Sequence, residues 1–253
     1  MPSPARPART VGLLRSLALY HGIPFRQRRL RRLYARFAGA GDVVFDIGAH
    51  VGNRTRALAA LGCRVVAVEP QPDFARLLRR LMGRHRNVDV VEAAVGATAG
   101  RITLAVSDAA PTMTTTAAGW RRERERDPVF AGVQWNRVIE VEAITLDDLI
   151  TRFGSPAFVK MDVEGAEPEV LAGLGRPVPA LSFEYLPGAP AYTRACLDRL
   201  DELGPYRFNW SVGESYRLAS PRWLASGELH AALAAPSGPA RSGDVYARLV
   251  DDD

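Results

Sequence analysis

The sequence predicts an α/β fold: a doubly wound, mostly parallel sheet with helices on both faces, preceded by an N-terminal helical extension. Three observations carry the prediction. Short apolar runs within residues 43–45 and 64–68 suit strands buried on both faces, and residues 87–91 read as a third strand. The stretch Asp42–Pro70 reads as strand, turn, helix, strand, which is a right-handed βαβ unit. A chain of 253 residues, 47% hydrophobic and 24% charged, is long enough to bury one large sheet with additions.

The N-terminal segment comes first. Met1–Gly41 holds nine arginines and no Asp or Glu, so of the whole-chain charge of +5 the remaining residues, 24 basic against 28 acidic, carry −4. Leu13–Tyr20 is apolar but interrupted by Arg15 and too short to span a bilayer, and no cleavage site follows an apolar core. No signal peptide or transmembrane segment is expected. From Phe25 to Phe37 a second helical pattern places Leu30, Leu33, Tyr34 and Phe37 on one face, suited to packing on the domain and completing a substrate mouth. Its basic face is read as solvated, with nucleic acid, an anionic surface or a phosphorylated substrate as the sharper alternatives. The division expected is therefore an Arg-rich extension over residues 1–38 and one domain over 39–253. Two cysteines without paired spacing, Cys63 and Cys196, indicate neither a disulfide framework nor a zinc site, which makes the cytoplasm the expected compartment.

In the βαβ unit, Val43–Phe45 is the first strand, Asp46–Gly52 a small-residue turn, Asn53–Leu61 a helix closed by Gly62, and Arg64–Val68 the second strand, stopped at Glu69-Pro70. Asp46, Gly48, Gly52 and Glu69 fall at the carboxyl ends of the strands, where ligands of such folds sit. Gly48 and Gly52 allow a sharp turn and a close ligand approach, and Glu69 can accept both hydroxyl hydrogens of a ribose. The pattern D-x-G-A-x-x-G lacks the third glycine of a dinucleotide fingerprint, so a nucleoside without phosphates fits better than a nicotinamide cofactor. The plain alternative is a βαβ turn with no ligand.

Pro72–Arg84 has Phe74, Leu77, Leu78 and Leu81 at helical spacing, and Asn87–Val91 gives the third strand, ended by Glu92-Ala-Ala-Val-Gly. Arg101–Val106 alternates as an added strand, expected in a hairpin, and Val138–Val141 returns as another. Between them, residues 108–135 read as a lid or substrate loop anchored by Trp120 and Trp135, or else as a solvated charged helix. Thr145 is an N-cap ahead of an acidic first turn.

Strand alternation from Phe158 puts Lys160, Asp162 and, if the strand runs that far, Glu164 on one face. Lys160 is the only lysine beside 32 arginines, a hint that an ammonium is needed where a guanidinium would not fit. A charged lysine near the end of an apolar strand needs a partner, which Asp162 or Glu164 can supply; a structural ion pair and a role in chemistry both remain open. Leu181–Tyr185, Tyr206–Val212 and Asp244–Val250 read as further strands, and Ala191–Leu203 as a helix with Cys196, Leu197, Leu200 and Leu203 inward. Phe208, Trp210 and Tyr216 are candidates for a pocket wall, though aromatics at strand spacing more often belong to a core.

Several of these stretches together resemble a family. D-I-G-A-H-V-G-N-R-T with V-V-A-V-E-P-Q-P, then E-A-A-V-G (92–96), I-T-L-D-D-L (144–149) and V-K-M-D-V-E-G-A-E (159–167), are similar to the class I S-adenosylmethionine-dependent methyltransferases, and within them to the FkbM-type family. The resemblance spans about residues 13–187. It implies a Rossmann-like, seven-stranded sheet, S-adenosylmethionine as cofactor, and cofactor-binding roles for Asp46, Gly48, Ala49, His50, Gly52, Asn53, Thr55, Glu69, Pro70, Ala93, Ala94 and Asp162. It also implies O-methylation of a hydroxyl on a small molecule or sugar.

Methyl transfer asks the protein to hold the acceptor oxygen in line and to take or relay its proton. Asp162 is the first candidate for that task, with Lys160 and Glu164 next and His50 an outsider that more naturally packs in the turn. Asp162, Glu164 and Glu184 offer oxygens, but no histidine spacing supports a metal, and none is expected. Two rivals stay in view: a nucleic-acid methyltransferase using the basic N-terminus, disfavoured because residues 162–165 read D-V-E-G rather than a [DNS]-P-P-[YFW] signature, and a nucleoside-binding module without catalysis.

Overall fold

The computed structural model describes residues 26–107, 137–235, 238–239 and 241–250. The expected lid at 108–135, with Trp120 and Trp135, and the first 25 residues of the N-terminal extension lie outside the described residues.

The chain enters through helix α1 (Arg26–Tyr34) and strand β1 (Val43–Ile47), followed by α2 (Asn53–Ala59), β2 (Arg64–Val68), α3 (Pro72–Met82) and β3 (Val88–Val91). Three strands then leave the main sheet: β4 (Ala94–Val95), β5 (Gly100–Val106) and β6 (Arg137–Ile144) form a small sheet of order β4-β6-β5. The expected hairpin partner of β5 is β6, antiparallel from Gly100 opposite Ala143 to Val106 opposite Arg137. Next come α4 (Leu146–Phe153), β7 (Phe158–Met161), α5 (Glu167–Ala172), β8 (Ala180–Tyr185), α6 (Pro190–Leu203), β9 (Tyr206–Val212), α7 (Ser226–Ala234) and β10 (Gly243–Leu249).

The main sheet has seven strands in the order β3-β2-β1-β7-β8-β10-β9. Neighbours from β3 to β8 pair in parallel, while β10 runs antiparallel to both β8 and β9. The order reverses between β1 and β7, so the carboxyl ends of these two strands open the crevice where such sheets bind ligands.

Strand alternation sorts the core onto two faces. Phe45, Ile47, Val159, Met161, Leu181 and Phe183 point to the side covered by α4, α5, α6 and α7. Val44, Val65, Phe158, Ala180 and Tyr246 point to the side of α1 and α2, where they meet Leu30, Leu33, Tyr34, Ala57 and Leu58. α1 is held there by ring contacts: Tyr34 lies 5.6 Å from Phe158, and Phe37, just past the helix, stacks on Phe158 at 5.0 Å and on Tyr246 at 5.4 Å. Cys63 is fully buried ahead of β2 with its thiol toward the Gly39 carbonyl, a packing residue as expected. Thr145 does cap α4: its hydroxyl accepts from the Asp148 N–H while the Asp148 carboxylate accepts from the Thr145 N–H, a closed capping box.

Two expectations need correction. The inward face of α3 is Phe74, Ala75, Leu78 and Met82, whereas Leu81 is 37% exposed: the apolar residues outnumber the positions that one buried helix face offers. β7 stops at Met161 and the chain turns, with Glu164 in the left-handed region at φ 54, so Glu164 does not continue the strand. Phe208, Trp210 and Tyr216 pack in the two cores, the commoner place for aromatics at strand spacing, with Tyr216 also accepting from Arg26 Nε at 2.8 Å.

The turn after β1 packs closely against the turn after β7. Gly48 has φ +76, and a Cβ there would stand 2.0 Å from the Asp162 carbonyl oxygen. Gly48→Ala is expected to lower stability by at least about 2 kcal/mol, from left-handed strain plus displacement of the β7 turn. Urea unfolding measures this; a midpoint equal to the wild type would show that the two turns do not depend on their close approach.

Candidate active site

The turns after β1, β2, β7 and β8 and the start of β10 enclose a cavity of about 300 Å³. Of the residues expected to bind a cofactor or act on it, Gly48, Ala49, His50, Asn53, Glu69, Pro70, Ala93, Ala94, Lys160, Asp162 and Glu164 line it. Asp46, Gly52 and Thr55 do not. Asp46 is fully buried beneath the turn and accepts the Thr55 hydroxyl at 2.6 Å, while Gly52 faces Leu78 of α3, where a Cβ would be 2.6 Å from its Cδ1. These three shape the turn from below.

Glu69 shows how one end of the cavity is built. Its two carboxylate oxygens accept the backbone N–H groups of His50 and Gln71, each at 2.9 Å, so both flanking turns hold it in one orientation. Burial raises its pKa to about 7, against the pull of those two hydrogen bonds. Each oxygen keeps a lone pair for a further donor, which suits a pair of ribose hydroxyls. Ala93 and Ala94 leave a small-residue wall nearby, which admits a flat ring. His50 stacks on Phe74 with ring centroids 4.2 Å apart, and burial lowers its pKa to about 4. It is neutral at pH 7 and packs as expected of it.

The other end carries charge. Lys160, 1% exposed, donates to Asp162 Oδ2 at 2.7 Å, and its β7 register places it opposite Asp46 of β1. For Asp162 burial works upward, but the Lys160 ammonium, the Arg54 guanidinium and the hydrogen bond from Lys160 outweigh it and hold the carboxyl below its ordinary value. Glu164 moves the other way: burial, then the negative charges of Glu184 and Asp162, raise it well above the carboxylate range, and burial with neighbouring Asp162 does the same to Glu184. Glu167 accepts the Val163 N–H at 3.1 Å and fixes the turn between them. The surroundings thus favour the ionised form of Asp162 and the protonated form of Glu164 and Glu184.

Sequence reasoning missed Arg54, Gln71, Glu214 and Asp244 as cavity residues. Arg54 belongs to α2 and looked like one arginine among 32; Asp244 opens the last strand, and nothing in its neighbourhood marked it. The register of β10 against β8, with Asp244 opposite Glu184, brings it to the site. Among the described residues no group of three or more His, Cys, Asp or Glu is placed to hold a metal ion, and no helix is long and apolar enough to cross a membrane.

Comparison with known proteins places this geometry in context. A sequence model of the methyltransferase FkbM domain matches residues 46–186. An ornithine lipid N-methyltransferase of Singulisphaera acidiphila is 45% identical over 53 residues, which is 20% of this chain and 28% of that protein. A ribosomal RNA small subunit methyltransferase A of Anaeromyxobacter dehalogenans is 52% identical over 44 residues, 17% of this chain and 16% of that protein. The matched stretch is therefore well under a third of either relative's length. Among solved structures, an O-methyltransferase from Bacillus cereus in complex with SAH aligns over 99% of this chain and 93% of that one, with 14% identity and a TM-score of 0.47.

If ribose hydroxyls donate to Glu69, binding must lower its pKa from about 7. A proton is then released between the bound and free values, and affinity rises with pH up to about 7 and flattens above it. Calorimetry of S-adenosylhomocysteine binding at pH 6.5 in buffers of different ionisation enthalpy should show net proton release, absent in Glu69→Gln. Equal release from both proteins would remove Glu69 from that role.

Proposed function

We infer that this chain, which belongs to the FkbM methyltransferase family and uses S-adenosylmethionine, transfers a methyl group to a hydroxyl oxygen of a small molecule or sugar. The observation that carries the reading is the Lys160–Asp162 pair: a carboxylate kept ionised by a buried ammonium, at the end of β7, in the same cavity as the Glu69 anchor. S-adenosylmethionine supplies a methyl group on a sulfonium that already carries its own leaving group, so the residues have to orient an acceptor and manage one proton.

Asp162 accepts a hydrogen bond from the acceptor hydroxyl and takes the proton as the oxygen loses it. Lys160 holds the Asp162 carboxylate in place and keeps it charged while the site is dry. Glu164 and Glu184, pushed toward the protonated form by burial and neighbouring negative charge, hydrogen-bond neighbouring oxygens of the acceptor and fix its orientation. Asp46, Gly48, Ala49, His50, Gly52, Asn53, Thr55, Glu69, Pro70, Ala93 and Ala94 form the donor end, directly or from beneath the turn. Around the acceptor end, Asp162, Glu164, Glu184, Glu214 and Asp244 bring several carboxyl groups to one cavity. Such a lining offers many hydrogen-bonding oxygens and suits a polyhydroxylated acceptor such as a glycan or natural product.

Asp162→Asn is expected to lower turnover by about 100-fold or more while affinity for S-adenosylhomocysteine changes by less than about tenfold. The assay supplies donor labelled with carbon-13 at the methyl group and a panel of hydroxylated acceptors, and reads the product by NMR. A label at an O-methyl shift supports the reading. An N-methyl product, or full turnover by the variant, would sink it.

A further inference from the structure

The outer face of α1 is strongly basic, and the methyl-transfer cavity makes no use of it. Arg28, Arg29, Arg32 and Arg36 are exposed, while Leu30, Leu33 and Tyr34 on the opposite face are buried in the core. Arg28, Arg32 and Arg36 follow one another at four-residue spacing with Arg29 beside them, so these positions share one stripe about 12 Å long. Backbone hydrogen bonds from the Ala35 N–H to Arg31 and from the Ala38 N–H to Tyr34 carry the helical turn past Tyr34 and keep Arg36 in line. Among the described residues no hydrogen bond or ion pair engages these four guanidinium groups. The first acid of the chain is Asp42, and its carboxylate accepts the Gly39 N–H at 2.8 Å. Like charges at this spacing repel one another, so the stripe gains from an anion laid along it.

The stripe ends at a second cavity of about 300 Å³. Ala157 and Ala180 place it at the amino ends of β7 and β8, the opposite end of the strands from the first cavity. Arg36, Phe37, Trp223 and Arg248 line it, no acidic residue does, and the Arg248 guanidinium lies 4.5 Å from the centroid of the Trp223 ring. Two guanidinium groups beside a half-buried indole offer donors for a phosphate and a ring suited to the headgroup level of a bilayer.

A row of unpaired arginines attracts a polyanion, and both a lipid surface and a nucleic-acid backbone present rows of phosphates. The sequence leading into α1 decides between them. Residues 1–25 add Arg6, Arg9 and Arg15 and no acid, with Leu13, Leu14, Leu17, Leu19 and Tyr20 around Arg15. Apolar side chains of this kind gain nothing from a phosphodiester backbone, whereas apolar and basic residues together hold a protein at an anionic bilayer. We propose that the face of α1 from Arg28 to the Arg36–Arg248 cavity docks on an anionic phospholipid surface. The contact is peripheral, since the apolar face of α1 stays in the core. It stands whatever the methyl acceptor is.

Co-sedimentation of the full chain with vesicles tests the proposal. Phosphatidylcholine vesicles with about a third phosphatidylglycerol should carry the protein down at about 0.1 M salt, phosphatidylcholine alone should not, and about 0.5 M salt should weaken binding at least tenfold. Each arginine near such a surface contributes about fivefold to partitioning, so Arg28→Gln with Arg32→Gln should weaken it about 25-fold, and Arg36→Gln with Arg248→Gln by a similar factor. Arg80→Gln with Arg84→Gln removes the same charge from exposed positions at the end of α3 and should stay within about threefold of the wild type. All six substitutions are at exposed positions, and an unchanged thermal midpoint confirms that each variant is folded. Equal losses from the α1 and α3 pairs would show net charge alone at work and overturn the proposal, as would equal binding to both kinds of vesicle or to neither. A single-stranded RNA oligonucleotide bound more tightly than the vesicles at the same salt, and lost in the α1 pair, would overturn it in favour of nucleic acid.

Discussion

A lysine ammonium buried in the middle of the sheet sets the terms for the rest of this structure. Lys160 is 1% exposed, and taking its charge out of water is unfavourable unless anions meet it. Two carboxylates do so: Asp162 two residues on, at 2.7 Å, and Asp46 across the β1–β7 register. The same row of the sheet continues through Ser182, Tyr246 and Asn209, each 1% exposed and each directly opposite the previous one. A polar band thus crosses the sheet, and its charged end lies under the turns that form the cavity.

That placement links fold to chemistry. Because Gly48 sits against the Asp162 backbone, the turn that shapes the donor end and the turn that carries the acidic side chain are a single packed unit. The electrostatics then separate into roles. Cations favour the ionised form of Asp162, whereas burial and nearby negative charges push Glu164 and Glu184 toward the protonated form. Neighbouring carboxyl groups in one cavity are thereby biased toward different roles, one as proton acceptor and two as hydrogen-bond donors.

Much of this was legible in the sequence, and the reasons are physical. β1, α2 and β2 were readable because buried strands and a glycine turn leave strong local marks, and Thr145 because a capping box is a local motif. The seven-stranded sheet and S-adenosylmethionine followed from the resemblance carried by residues 46–70 and 159–167. The pairing of Lys160 with Asp162 was readable from alternation, and the lone lysine drew attention to it. What escaped was non-local. Asp244 reaches the site only through the antiparallel register of β10, and Arg54 is hidden among many arginines. The end of β7 was misplaced because nothing in V-K-M-D-V-E-G announces that the strand stops at Met161 and that Glu164 takes a positive φ.

The claim on which the account turns is that Lys160 keeps Asp162 ionised inside the site. A carbon-detected NMR titration of the Asp162 side-chain carboxyl, in the wild type and in Lys160→Met, measures it directly. The account predicts a pKa below the ordinary aspartate value in the wild type and a value raised above it in the variant, where burial acts without the ammonium. The same pKa in both proteins would contradict it, and would leave the ion pair as a structural contact with no bearing on the chemistry.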